Sequence, residues 1–176
     1  MSSLIDTGRR SLLSGRRPSL RPSLLPPWAV NDSEFYAACT RCHACMDTCP
    51  EHILTLASGG FPTPNFSLGE CTFCEECAQA CPTNALQVKT RATSPWQQAP
   101  VMNEQCLAKR GVVCRSCGDS CPREAIEFNL ARAHPALATP QINNNACTGC
   151  GACISVCPNQ ALTMQIHPHP EEVQPT

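Results

Sequence analysis

Four short stretches of hydrophobic positions recur along the chain, each just after a Cys-Pro pair. They are Ile53-Leu54, Ala85-Leu86-Gln87-Val88, Ala125-Ile126-Glu127-Phe128 and Ala161-Leu162-Thr163-Met164. Alternation of apolar and polar positions in the last two predicts short strands rather than helices. Three proline-led stretches are also predicted as strands: Pro64-Asn65-Phe66, Pro100-Val101-Met102 and Pro140-Gln141-Ile142. Each is followed within four to five residues by a cysteine. Between cysteines, segments such as Ala78-Gln79-Ala80 can form one helical turn, which the next Cys-Pro ends. The predicted unit is therefore strand, cysteine loop, short helix, strand. Its repetition reads as duplication and gives an α+β fold of short strands and short helices around cysteine loops.

The N-terminal part does not share this pattern. Pro18, Pro22, Pro26 and Pro27 interrupt residues 1–30, and a proline inside a helix costs about 3 kcal/mol. The expected organisation is a basic proline-rich arm over 1–30, one domain over 31–94, a second over 95–166, and a disordered tail over 167–176. The boundary between the domains falls near Thr93-Ser94-Pro95, a polar stretch with a proline. The tail contains His167-Pro168-His169-Pro170, which reads as a proline-rich segment rather than a metal site. No run reaches the ~20 apolar residues a membrane helix needs.

Cysteine changes the picture most. The chain has 16 of them in 176 residues, in four groups of four that each end in Cys-Pro. Three groups have the spacing C-x2-C-x2-C-x3-C-P: Cys39, Cys42, Cys45, Cys49; then Cys71, Cys74, Cys77, Cys81; and Cys147, Cys150, Cys153, Cys157. The third group in chain order, Cys106, Cys114, Cys117 and Cys121, is stretched to C-x7-C-x2-C-x3-C-P. This run is the ligand pattern of bacterial [4Fe–4S] ferredoxins. The fold expected is a tandem pair of ferredoxin-like domains with two clusters each, three to four clusters in all.

In two-cluster ferredoxins the fourth cysteine of a run ligates the other cluster. That rule joins Cys39, Cys42, Cys45 and Cys81, and joins Cys71, Cys74, Cys77 and Cys49. In the second half it joins Cys106, Cys114, Cys117 and Cys157, then Cys147, Cys150, Cys153 and Cys121. The x7 gap leaves the Cys106 group open: a complete cubane on a longer loop, a labile or three-iron cluster, or none. Small residues in the loops (Ala44, Gly149, Gly151, Ala152) are expected to let backbone N–H groups approach the sulfurs. A disulfide framework is disfavoured because all sixteen cysteines fit the quartets. Zinc is disfavoured because a four-cysteine zinc site usually takes two short pairs. His43, between Cys42 and Cys45, reads as a loop residue, and Trp28 and Trp96 as cover for apolar surface.

Charge is unevenly placed. Residues 1–24 hold five arginines against one aspartate, a local charge of +4, while the rest of the chain carries −5. An acidic body with a basic arm that lacks interleaved aromatics does not suit a nucleic acid, and it points to a protein partner. The segment Arg9-Arg10-Ser11-Leu12-Leu13 resembles a twin-arginine export signal, but Gly15-Arg16-Arg17-Pro18 follows where an apolar stretch is required. The expectation is a cytoplasmic protein. No phosphate loop, nucleotide fingerprint or nucleophile with a paired base is present, so the chain reads as an electron carrier or accessory protein, not an enzyme. Aromatics are scarce, with five Phe, two Trp and one Tyr. Domains of about 65–75 residues with so small a core need staples, and the clusters would be those staples.

Details outside the ligands carry a resemblance. They are Arg9-Arg10 with Leu13 and Gly15-Arg16, the Pro26-Pro27-Trp28 step, Cys39-Thr40-Arg41-Cys42-His43-Ala44-Cys45, and Gly59-Gly60-Phe61-Pro62 leading to Asn65-Phe66. Cys106-Leu107-Ala108 and Cys114-Arg115-Ser116-Cys117-Gly118-Asp119-Ser120-Cys121 add to it. Over roughly residues 9–165 the chain is similar to the NapF family, ferredoxin-type accessory proteins of bacterial periplasmic nitrate reductase systems. The resemblance implies a cytoplasmic iron–sulfur protein that meets the nitrate reductase catalytic subunit before export. There it would aid maturation through electron transfer or cofactor and cluster loading, with redox proteins as further partners. A constitutive electron-transfer subunit of a respiratory redox complex is the alternative.

Overall fold

A computed structural model describes residues 24–88, 95–96, 98–131 and 134–166. Two lobes of the same plan follow each other along the chain. The first holds helices α1 (Asp32–Ala38), α2 (Ala44–Asp47) and α3 (Glu76–Gln79) and strands β1 (Leu54–Leu56) and β2 (Pro62–Pro64). The second holds β3 (Gln98–Met102), α4 (Ser116–Asp119), β4 (Ile126–Ala131), β5 (His134–Ile142), α5 (Ala152–Ser155) and β6 (Leu162–Ile166). These short strands and helices fit the expected mixed α and β class.

Each lobe has an inner hairpin and an outer pair made from its two ends. In the second lobe β4 pairs with β5 and β3 with β6, both antiparallel. In the first lobe β1 pairs with β2, and the outer pair shrinks to one bridge, Ala29 with Leu86. Amide N–H groups of Val30 and Gln87 flank that bridge, donating to Ala85 and Trp28 carbonyls at 3.1 and 2.7 Å. The proline-led strands are shifted from their predicted place. β2 ends at Pro64, while β3 and β5 begin before Pro100 and Pro140.

The four repeats share one backbone device. His52, Asn84, Glu124 and Gln160, each three residues after a fourth cysteine, all have φ between 49° and 56°. This left-handed residue reverses the chain after Cys-Pro. The next residue, Ile53, Ala85, Ala125 or Ala161, is then 1 % exposed in every repeat. Sequence alternation marked Ala125 and Ala161 as strand starts; β4 and β6 begin one residue later, and burial supplies the reason.

Residues 24–30 do not belong to an extended arm. Pro26 is fully buried, and Trp28 and Val30 join Phe35, Leu54, Phe61, Ala85 and Leu86 in the first core. Trp28 supplies one of the few large apolar surfaces this small lobe has, so the chain enters the fold earlier than residue 31. The remainder of the arm (1–23), the boundary segment 89–94 and the tail 167–176 lie outside the described residues. Helix α1 was not foreseen. Its signal is Asn31 and Glu34 in capping-box spacing, and the Asn31 side chain does accept from the Glu34 N–H at 3.0 Å. Among the described residues no helix is long and apolar enough to cross a membrane.

Candidate metal centres

The cysteine loops lead into α2, α3, α4 and α5, and each helix carries the third cysteine of its quartet. In each lobe the two short helices pack against each other. The fourth cysteine of each run sits just beyond its helix and is turned toward the companion loop. None of the sixteen cysteines is paired in a disulfide.

Four small recesses of nearly equal size lie between these loops. One is lined by Cys39, Cys42, Cys45 and Cys81. Its neighbour in the first lobe is lined by Cys49, Cys71, Cys74 and Cys77. In the second lobe one is lined by Cys106, Cys114, Cys117 and Cys157, the other by Cys121, Cys147, Cys150 and Cys153. The thiols are thus gathered in the crossed sets that the spacing rule gives, with the fourth cysteine exchanged within each lobe.

The stretched quartet follows the same plan. Residues 107–112 fold into a compact turn in which Val112 N–H donates to the Leu107 carbonyl at 2.9 Å. Gly111, at φ 83°, closes the turn, and the Lys109 ammonium meets Glu104 at 2.9 Å. The extra residues project outward, leaving Val113 exposed, while Cys106 and Ala108 stay buried against Ala161. Cys106 is therefore returned to the cavity wall despite its longer loop. The backbone nevertheless differs locally. Intact quartets hold two left-handed residues before the third cysteine (Arg41 and His43, Phe73 and Glu75, Gly149 and Gly151), whereas Arg115 has φ −131°.

Electrostatics favour a cation at these sites. Burial pushes the Cys45 thiol up to about 12, and Cys39, Cys81 and Cys42 beside it add to the rise. Cys77 and Cys153 are pushed up to about 12, again by burial first and then by neighbouring cysteines of both sets in their lobe. Cys117 rises to about 11 through burial and through Cys106 and Cys114. Cys71 rises to about 12 by burial, with a Phe73 N–H opposing and Cys49, Cys74 and Cys150 adding. Clustered buried thiols ionise only if positive charge enters with them. Cys81 goes the other way: burial would raise it, but hydrogen bonds from Leu86, Thr83 and Ala85 outweigh burial and lower it. The corresponding N–H donors in the second lobe are Ala125 to Cys121 Sγ at 3.3 Å and Ala161 to Cys157 Sγ at 3.2 Å. This donor after the Cys-Pro turn went unrecognised in the sequence, where it shows only as a buried residue at a fixed offset.

A further orphaned group fits a bound cluster. The Trp28 indole N–H is buried without an acceptor among the described residues, and Trp28 lines the Cys71 cavity. A thiolate or sulfide is an acceptor of the kind it lacks. Among the described residues no three His, Cys, Asp or Glu side chains converge on a single-ion site. The four thiols instead line a void, which suits a group whose irons are each held by a different cysteine. Zinc, by contrast, would draw four sulfurs to about 2.3 Å of one ion. Bound there, a [4Fe–4S] cluster would supply one-electron transfer. His43 stands at the N-terminus of α2 in a left-handed conformation and lines the recess of the Cys39 set.

Comparison with known proteins agrees with this geometry. Residues 38–85 and 112–167 each match the 4Fe-4S dicluster domain. The second match begins after Cys106, the cysteine that the long turn sets apart. Ferredoxin-type protein NapF of Escherichia coli strain K12 is 40 % identical over 166 residues, covering 94 % of this chain and 99 % of that protein. Ferredoxin-type protein NapF of Haemophilus influenzae is 41 % identical over 139 residues, 79 % of this chain and 77 % of that one. Methylamine utilization ferredoxin-type protein MauM of Methylobacillus flagellatus is 33 % identical over 172 residues, 90 % of this chain and 74 % of that one.

Proposed function

The chain belongs to the ferredoxin-type NapF family of 4Fe–4S dicluster proteins and carries several such clusters; from this we propose that it is a cytoplasmic accessory protein in maturation of a periplasmic nitrate reductase catalytic subunit. In this reading the two lobes are tandem two-cluster ferredoxin-like domains. The ligand sets are Cys39, Cys42, Cys45, Cys81; Cys71, Cys74, Cys77, Cys49; Cys106, Cys114, Cys117, Cys157; and Cys147, Cys150, Cys153, Cys121. The protein meets its client before export and delivers electrons, or assists cofactor or cluster loading. The observation that carries this reading is the likeness to NapF over 94 % of the chain, well beyond the cysteine loops.

The basic arm gives the client a place to bind. Its five arginines contrast in charge with the net acidic remainder of the chain, so a client contact there is ionic and weakens at high salt. The test is an anaerobic pull-down from cytoplasm with partners identified by mass. The expected partner is the nitrate reductase catalytic subunit with its export signal still attached. Stoichiometric recovery with a mature respiratory complex that needs the protein at every turnover would favour the electron-wire alternative. A reporter fused to residues 1–24 should stay in the cytoplasm, because no apolar run follows the arginines.

A further inference from the structure

We infer that Gly151, with Gly149 seating Trp96 beside it, forms an internal docking face on which the first lobe seats, holding the Cys71 set beside the Cys147 set as the link between the lobes. Naming these as cluster sets rests on the ligand assignment proposed above; the docking face does not.

Neither glycine is required by the conformation of its own loop. Both have positive φ, 71° and 87°, but so do their counterparts in the other intact loops. Arg41 and Phe73 occupy the Gly149 position at 60° and 57°, and His43 and Glu75 occupy the Gly151 position at 67° and 68°. The loop conformation therefore accepts long side chains. Nor does the N–H to sulfur contact require glycine. Gly149 N–H reaches Cys147 Sγ at 3.4 Å, and the Phe73 N–H bonds Cys71 in the same way. The expectation that small loop residues serve approach to sulfur does not account for these two positions.

Space does. A Cβ on Gly151 would stand 2.0 Å from Phe66 Cδ1 of the first lobe. One on Gly149 would stand 2.6 Å from the Gln98 carbonyl and 2.8 Å from Trp96 Nε1. Real side chains do not approach so closely, so any other residue at 151 would push the lobes apart, and one at 149 would displace Trp96 and the β3 carbonyl beside it. Around the glycines the contact is specific. Cys71 N–H donates to the Cys150 carbonyl at 2.8 Å, a bond made directly between two cysteine loops. The Trp96 indole N–H donates to the Thr148 carbonyl at 3.0 Å. The Trp96 ring meets Phe66 and Phe73 edge-on at 5.5 and 5.9 Å. On the other side, the Trp28 backbone N–H donates to the Pro95 carbonyl at 2.9 Å. Phe66 is buried yet lies outside the first lobe's core cluster, as a residue whose cover comes from the other lobe. Close approach of backbone to an aromatic ring is one of the standard uses of glycine, and here it brings two cysteine loops into hydrogen-bond contact. The Cys39 and Cys106 sets are left as the outer ends.

The test transplants the second quartet's loop into the fourth. The double variant Gly149→Phe, Gly151→Glu carries residues already tolerated at positions 73 and 75. Trp96→Ala weakens the seam without replacing a residue of either cysteine loop. His43→Gly, in the loop of the outer Cys39 set, is the control. Small-angle X-ray scattering on the full anaerobic protein reads shape, EPR of the reduced protein reads spin coupling between clusters, and iron analysis reads occupancy. Both seam variants are expected to show a larger radius of gyration and a loss of part of the spin–spin broadening, with His43→Gly unchanged in both. Iron in Trp96→Ala is expected to stay at the wild-type level. Unchanged scattering and EPR in both seam variants would overturn the inference. So would iron loss in the loop variant combined with an unchanged shape in Trp96→Ala, which would assign the glycines to the cluster loop alone. A failed pull-down would bear on the client and leave these shape readouts untouched.

Discussion

Cys49 lines the same cavity as Cys71, in the next quartet, while Cys45, four positions before it, lines another. The exchange is possible because the chain leaves its short helix at Cys49-Pro50 and turns at left-handed His52. Cys81 makes the reciprocal move toward Cys45. The same relation holds between Cys121 and Cys147 and between Cys157 and Cys106. Each lobe is thereby stapled across its two halves.

The stretched quartet should hold a complete cluster. Its recess is lined by four cysteines like the other three, and Cys106 reaches the wall through the turn at 107–112. Anaerobically purified wild-type protein should carry up to about sixteen iron and sixteen sulfide, four cubanes' worth. Cys106→Ser should lower iron by up to about four per chain, or leave a three-iron EPR signal. Iron content near twelve in the wild type, unaffected by Cys106→Ser, would show that this set is empty.

Much of this was legible before the structure. Cys-Pro spacing anticipated the recesses, and alternation at Ala125–Phe128 and Ala161–Met164 marked β4 and β6 because Ile126 and Leu162 are buried while Glu127 and Thr163 beside them are exposed. The reach of the first lobe into residues 24–30 was not legible. Pro26 and Pro27 exclude a helix, but they do not exclude burial, and only the contacts of Trp28 and Val30 reveal it. The seam was hidden for a similar reason. Gly149 and Gly151 fit a loop explanation until Phe66 and Trp96 are found against them, from sequence positions that no local pattern connects.

Trp28→Phe separates the indole N–H from the ring. The ring's burial is kept and only the unpartnered donor is removed. If that N–H bonds to the group in the Cys71 cavity, its loss removes stabilisation of the more negative, reduced state. Expected is a lower reduction potential for one cluster with iron content unchanged, measured by EPR-monitored titration. An unchanged potential for every cluster would leave Trp28 as core packing only.

Removal of iron should unfold both lobes. The cysteines contribute to each apolar core, and Cys77, Cys117 and Cys153 are buried members of those clusters. Without metal the thiols leave four cavities in lobes with few aromatics, and a small core alone supplies only a few kcal/mol. Circular dichroism after anaerobic chelation should show loss of most structure and of the cooperative thermal transition. An apo-protein with a sharp transition would contradict the staple role.

Crossed ligation is the central claim, and the most direct measurement is Mössbauer spectroscopy of site-directed variants, with each cluster assigned by its own ligand changes. Cys49→Ala should perturb the cluster that Cys71→Ala, Cys74→Ala and Cys77→Ala also perturb, and Cys81→Ala the one shared with Cys39, Cys42 and Cys45. If Cys49→Ala instead removed the cluster of Cys39, Cys42 and Cys45 and spared that of Cys71, each quartet would hold its own cluster, and the crossed account would be wrong.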